Sequence, residues 1–244
     1  MNNQSLSLFN RRYKAIRKEK SYYNKFIFNG HFTVFLLILL GAFIFGYGEW
    51  LQHIPQHIDY ALFASIAVAL VSLFPIRTLL KDADKIFLLP FEKHMKDYMQ
   101  VSLIYSYSSR IFLQVILLII LFPLFYRLND NHFAFYIVFA ISAIIFPYLG
   151  LLVKWQWLKL NLSSWTINLL LFVLFGITFY LILRFHNYFA IIFIFIVGVL
   201  LLILKLNSKK QLFPWERMIA IEQQKHTNYY KFVNMFTDVK HLRE

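Results

Sequence analysis

Six long hydrophobic runs constrain this chain more than any other feature. Each run is near twenty residues, which is long enough for a helix to cross the roughly 30 Å hydrocarbon core of a bilayer. The runs are continuous rather than alternating, and a backbone in lipid must satisfy its own amides, so we expect helices rather than a barrel. The sequence therefore predicts an all-α, polytopic membrane protein, with spans at residues 26–47, 58–76, 103–126, 133–153, 165–183 and 188–206.

The composition supports a chain that is solvated mainly by lipid. Of the 244 residues, 59% are hydrophobic and 15% are charged, whereas soluble domains carry about a quarter charged residues. This balance excludes most soluble enzymes. The absence of cysteine excludes disulfides and thiol nucleophiles.

The basic residues set the predicted orientation. Of the 25 Lys and Arg residues, 23 fall on one side when alternate connecting segments are assigned to opposite faces, and an excess of Lys and Arg marks the cytoplasmic side. Both termini are therefore expected in the cytoplasm, and the protein in the cell membrane. The net charge of +13 follows from this topology, so we expect no nucleic-acid partner.

Three cytoplasmic segments are long enough to have a role besides connecting spans. Residues 1–25 form an amphipathic N-terminal segment, residues 26–206 form the transmembrane domain, and residues 207–244 form a cytoplasmic tail. The N-terminal segment has aromatic and aliphatic residues at helical spacing with basic residues between them, as in helices that lie among lipid headgroups. The tail repeats this pattern, although Glu222 and His226 interrupt its apolar stripe.

The middle cytoplasmic segment, residues 77–102, is named the elbow. Its apolar positions 79, 80, 83, 86 and 87 continue a helical stripe beyond the second span. Pro90 interrupts the stripe, and proline suits the first turn of a new helix. The sequence thus predicts a helix, a break at Leu88-Leu89-Pro90 and a second helix that returns to the membrane. An exposed apolar tip of this kind usually binds a partner.

Residues for catalysis or ion coupling are not found. No acidic residue lies in the interior of a predicted span, since Glu49, Asp59 and Asp130 fall at the outer edges, which argues against a proton- or sodium-coupled transporter. The phosphate loop, the Gly-x-Ser-x-Gly elbow and the His-Glu-x-x-His pair are absent from the sequence. We therefore expect a protein that is not an enzyme and has no catalytic, cofactor-binding or metal-binding residues.

The elbow and both terminal segments resemble one known family. Residues 75–92, with the sequence PIRTLLKDADKIFLLPFE, resemble the cytoplasmic segment of the EcsB family, and residues 11–19 and 215–239 agree with it. The EcsB family comprises membrane subunits of a bacterial ABC transporter. The resemblance covers nearly the whole chain, and the block around the elbow is its most specific part.

The resemblance implies an exporter-like permease that works beside a separate, EcsA-like cytoplasmic ATPase subunit, which would bind the ATP. It also implies a longer permease, with further hydrophobic segments after the tail. In such permeases a short cytoplasmic helix enters a groove on the ATPase. On this basis the ATPase-coupling residues are expected to be Lys81, Asp82, Asp84, Ile86, Phe87, Leu88, Leu89, Pro90, Phe91 and Glu92.

The sequence is consistent with two hypotheses about function. In the first, the chain is a permease subunit that moves a hydrophobic or peptide-like substrate between two permease copies or halves, so a homodimer is one arrangement. In the second, it is a membrane scaffold that regulates a protease or a secretion system without moving anything. Both readings place the chain in the lipid bilayer.

Overall fold

The computed structural model describes residues 3–28, 30–55, 57–128, 133–185, 188–209 and 211–234. Across these ranges every regular element is helical, which confirms the all-α fold class. The α-helices are α1 (Asn3–Ile27), α2 (Gly30–Gln52), α3 (Tyr60–Ser72), α4 (Asp84–Phe87), α5 (Met95–Leu128), α6 (Phe133–Lys159), α7 (Ser164–Arg184), α8 (Phe189–Ser208) and α9 (Trp215–Asn234). A 3₁₀ helix, Leu89–His94, precedes α5.

Five of the described helices are long and apolar enough to cross a membrane. They are Gly30–Gln52, Met95–Leu128, Tyr136–Lys159, Ser164–Arg184 and Phe189–Ser208. The protein is therefore of the multi-pass membrane type. The second predicted span is the exception, because its helix α3 has only 13 residues and ends at Ser72. The count of six spans and the cytoplasmic location of the termini stay predictions.

The peptide after α3 leaves the helical conformation because side chains replace its helical hydrogen bonds. Lys154, which is only 7% exposed, donates from Nζ to the Phe74 carbonyl at 3.0 Å. The Arg77 N–H donates to Ser106 Oγ at 2.7 Å, and the Arg77 carbonyl accepts from Ser102 Oγ at 2.6 Å. A buried backbone needs such partners wherever a helix does not supply them.

The chain divides into two compact units. The first unit, here called the terminal unit, comprises Met1–Ile54, Thr78–Val101 and Trp215–Glu244, and the second, the bundle unit, comprises Pro55–Arg77 and Ser102–Pro214. In the bundle unit α3 packs on α7, and α6 packs on α7 and α8. Its core contains fully buried phenylalanines, and the rings of Phe146 and Phe193 stack with centroids 3.9 Å apart.

In the terminal unit the two amphipathic helices contact each other. The Tyr230 hydroxyl on α9 donates to the Glu19 carboxylate on α1, and Lys20 Nζ lies 5.0 Å from the centroid of the Tyr229 ring. The prediction of a helix in each segment is thus confirmed. Their placement among lipid headgroups stays a prediction.

Candidate coupling site

The structure confirms the break in the elbow but not the helix that was predicted before it. The 3₁₀ helix starts at Leu89, with Pro90 in its first turn, directly after α4. The prediction of a helical stripe from residue 76 to residue 87 is wrong, because only Asp84–Phe87 are α-helical. Leu79 even adopts a φ of 56°, which helices exclude.

The tip of the elbow exposes apolar side chains, as the sequence predicts. Ile86, Phe87 and Leu89 are 69%, 77% and 55% exposed. Pro90 is exposed, whereas Leu88 and Glu92 are half-buried. The side chain of Phe91 lies outside the described part of the structure, as do residues 235–239 of the tail. Three large exposed apolar groups within four residues form a surface suited to a protein partner.

The base of the elbow is held by a buried acid. Asp84 is 6% exposed, and its Oδ1 lies 2.5 Å from the Arg12 guanidinium on α1. Its Oδ2 accepts from the Lys81 N–H at 2.6 Å. By contrast, Asp82 is exposed and pairs with Lys85 at 3.0 Å on the surface. Of the predicted coupling residues, Asp84 is therefore buried and bonded, whereas Ile86, Phe87 and Leu89 are exposed.

The charge of Arg12 is secured by its surroundings. Burial alone would lower the pKa of Arg12, but the hydrogen bond that Arg12 donates to Asp84, the hydroxyl of Tyr98 and the charge of Asp84 outweigh burial and raise the pKa. Arg12 therefore stays protonated at any physiological pH.

Three residues that the sequence reasoning did not assign to the site support the segment before the tip. They are Arg12, Tyr98 and Glu222, from three separate parts of the chain. Arg12 donates to the Leu79 carbonyl at 3.3 Å and to the Tyr98 hydroxyl at 3.2 Å. The Tyr98 hydroxyl donates to the Thr78 carbonyl at 2.7 Å, and Glu222 accepts from the Thr78 N–H at 2.9 Å.

One signal for this network was present in the sequence. Glu222 interrupts the apolar stripe of α9, and an acid on a buried face is stable only when hydrogen-bond donors satisfy it. Similarly, Arg12 falls on the aromatic stripe of α1 rather than on its basic face. These two interruptions mark contacts with another part of the protein.

Comparison with known proteins establishes the relationship that the elbow suggested. The model of the family described as "Bacterial ABC transporter protein EcsB" matches residues 6–244. This chain belongs to the EcsB family. A curated relative named "Protein EcsB", from Bacillus subtilis strain 168, is 28% identical over 247 residues, which cover 99% of this chain and 60% of that protein. The alignment therefore covers less than two thirds of the length of this relative. No solved structure matches this chain.

A substitution at Glu222 tests the support of the elbow in this EcsB-family protein. We expect Glu222→Ala to lower the free energy of unfolding by about 1–3 kcal/mol, because it leaves the buried Thr78 N–H without an acceptor. Glu222→Gln retains an acceptor oxygen and should cost less. Unfolding of the purified protein in detergent, together with hydrogen exchange at the Thr78 amide, measures both effects.

The matched control is Glu216→Ala, which removes an exposed acid from the same helix α9. This change is expected to leave the free energy of unfolding within about 0.5 kcal/mol of the original value. If Glu222→Ala and Glu216→Ala had equal effects on unfolding and on exchange at Thr78, the carboxylate of Glu222 would have no supporting role.

Proposed function

We propose that this chain is the membrane-spanning permease subunit of an ABC transporter. In this proposal the elbow tip binds a separate, EcsA-like cytoplasmic ATPase. The observation that carries it is the tip itself, in which Ile86, Phe87 and Leu89 are exposed while Asp84 directly before them is buried and ion-paired. A rigid base below an apolar tip is suited to insertion into a groove on a partner. Membership of the EcsB family supports this reading.

The mechanism is linkage between two binding events. ATP binding to the ATPase can move the spans only if it favours one arrangement of the permease over another. The contact must therefore be stiff, because a mobile tip would absorb the change of shape in the ATPase. The two bonds of Asp84, to Arg12 and to the Lys81 N–H, supply this stiffness.

The described spans favour a hydrophobic or peptide-like substrate. Several neutral polar side chains of the apolar helices bond within the protein: Ser65 of α3 donates to the Leu62 carbonyl, Thr178 to the Leu174 carbonyl and the Gln114 amide N–H to Ser72. Among the described residues, the buried side-chain oxygens of Gln114 and Asn168 have no hydrogen-bond partner. Few polar groups are left to replace the hydration shell of an ion or a sugar. Within this proposal the direction of transport is export, and the substrate passes between two copies of the chain in a homodimer.

The proposal places the protein in the cell membrane, with both termini and the elbow in the cytoplasm and with ATP hydrolysis confined to the partner. The distribution of Lys and Arg supports this orientation. The competing reading is a scaffold that binds a secretion or proteolysis machine. That reading differs in one measurable respect, since a scaffold would not change the rate of ATP hydrolysis.

Co-expression tests the two readings together. The full chain is expressed with an EcsA-like ABC ATPase from the same genome, and the tagged chain is purified from detergent-solubilised membranes. A permease is expected to retain the ATPase and to change its rate of ATP hydrolysis relative to the free ATPase. Failure to retain any ATPase would contradict the proposal, and retention with an unchanged rate of hydrolysis would favour the scaffold.

A further inference from the structure

The terminal unit contains an open cavity of about 770 Å³ that the proposed coupling role does not use. It is lined by side chains of α1, of residues 79–82 and of α9. This volume lies in the range of sites that hold small molecules and cofactors. The side chains of its lining determine which class of ligand it can bind.

The lining presents two cations without partners. Arg11 and Lys81 both face the cavity and are exposed. Within the described ranges, neither side chain forms an ion pair, unlike Arg12, which pairs with Asp84, and Lys85, which pairs with Asp82. Arg11 and Lys81 can therefore each donate charge-assisted hydrogen bonds to an anionic group of a ligand.

The acids of the lining are already engaged. Glu222 accepts from the Thr78 N–H, and Glu19 accepts from the Tyr230 hydroxyl. Asp82 pairs with Lys85. Since these carboxylates bond to other groups, Arg11 and Lys81 remain available to a ligand that brings its own negative charge.

The rest of the lining is suited to a hydrocarbon chain. Leu8, Ala15 and Ile16 of α1, with Leu79 and Leu80 opposite them, form its apolar wall. A ligand that matches the cavity therefore has an anionic head and an apolar body. Membrane phospholipids have both parts. They would be close to α1, because α1 ends at Ile27 and the candidate membrane span α2 begins at Gly30.

We propose that this cavity binds a phospholipid with a negatively charged headgroup. The headgroup phosphate engages Arg11 and Lys81, and an acyl chain lies against Leu8 and Ile16. The bound lipid would touch Arg12 and Glu222, two of the three side chains that support the segment before the elbow tip. The binding itself requires no ATPase.

Binding of short-chain lipids to the purified full chain tests this proposal. Microscale thermophoresis in a neutral detergent compares dioctanoyl-phosphatidylglycerol, dioctanoyl-phosphatidylcholine and inorganic phosphate. We expect phosphatidylglycerol to bind more tightly than either of the other two. The double variant Arg11→Gln/Lys81→Gln is expected to bind phosphatidylglycerol roughly tenfold more weakly, because it removes two charged hydrogen-bond donors.

A matched double variant controls for overall charge. Lys14→Gln/Arg17→Gln also removes two positive charges from exposed positions, and both positions lie on α1 outside the cavity lining. Its affinity for phosphatidylglycerol is expected to stay within about twofold of the original value. A further variant, Ala15→Phe, narrows the cavity without changing its charge and should also weaken binding.

Three results would overturn the proposal. Equal binding of phosphatidylcholine and phosphatidylglycerol would remove the role of Arg11 and Lys81. Binding of inorganic phosphate as tight as that of phosphatidylglycerol would remove the role of the apolar wall. Equal losses in the two double variants would show that the chain attracts anions by net charge alone. None of these results depends on an ATPase partner, so they are separate from the test of the permease.

Discussion

Replacing Phe87 with Asp is expected to weaken binding of the ATPase by at least about 30-fold, which corresponds to about 2 kcal/mol or more, the usual cost of losing an interface hot spot. Phe87 is 77% exposed, so the substitution costs this chain little stability. In the complex the new carboxylate would be buried without a partner, which adds a desolvation cost to the lost apolar contact. The dissociation constant of the detergent-purified chain for the purified ATPase measures the effect.

Leu212→Asp is the matched control for this prediction. Leu212 is 78% exposed, is also apolar, and lies between α8 and α9 rather than in the elbow. It should leave the dissociation constant within about twofold of the original value, because most exposed side chains outside a hot spot contribute little. Because the chain contains no cysteine, labelling of a single Lys85→Cys reporter can verify that the Phe87→Asp protein is still inserted correctly. Undiminished binding of the ATPase by a correctly inserted variant would remove the tip from the coupling mechanism.

The second large effect is expected at the base of the elbow. We expect Asp84→Ala to destabilise the elbow by about 3 kcal/mol, because breaking a buried ion pair leaves one charge without compensation. The side chains of Arg12 and Asp84 are only 12% and 8% exposed, so water cannot fully replace the lost partner. Asp84→Ala also removes the acceptor of the Lys81 N–H. Hydrogen exchange of the amides from Lys81 to Phe87 should therefore become roughly a hundredfold faster.

Asp82→Ala provides the control, since Asp82 lies two residues before Asp84 and forms the exposed pair with Lys85. Exposed pairs contribute about 0–1 kcal/mol, so exchange at the base should change little. The charge-reversed double variant Arg12→Asp/Asp84→Arg should recover part of the lost protection, because it restores the pair but not the bond to Lys81. If Asp84→Ala and Asp82→Ala gave the same exchange rates, the buried pair would not hold the elbow.

The five long apolar helices and the exposed elbow tip could be predicted from the sequence because each depends on local information. Hydropathy over about twenty residues indicates a span, and Pro90 indicates a break whatever its surroundings. The extended peptide before the tip could not be predicted in this way. Its apolar residues happen to recur at helical spacing, but its conformation is set by partners far along the chain. Arg12 precedes Asp84 by 72 residues, and Glu222 follows Thr78 by 144 residues.

The amphipathic helices show a second limit of sequence reasoning. A stripe of apolar residues predicts that α1 and α9 cover an apolar surface, but it does not say whether that surface is lipid or protein. In the structure Phe9 is 3% exposed and packs edge-on against Tyr98, and Met218 on α9 is fully buried. At least part of each stripe therefore faces protein rather than headgroups.

The hydrogen bonds of Thr78 and Leu79 have a mechanical consequence. A continuous α-helix behaves as a stiff rod that carries both push and twist along its own axis, whereas an extended peptide resists only stretching. Here the backbone next to Lys81 is tied sideways to α1, to the first turn of α5 and to α9. A force applied at Phe87 would therefore be distributed over the contacts with α1, α5 and α9, rather than transmitted along the extended peptide.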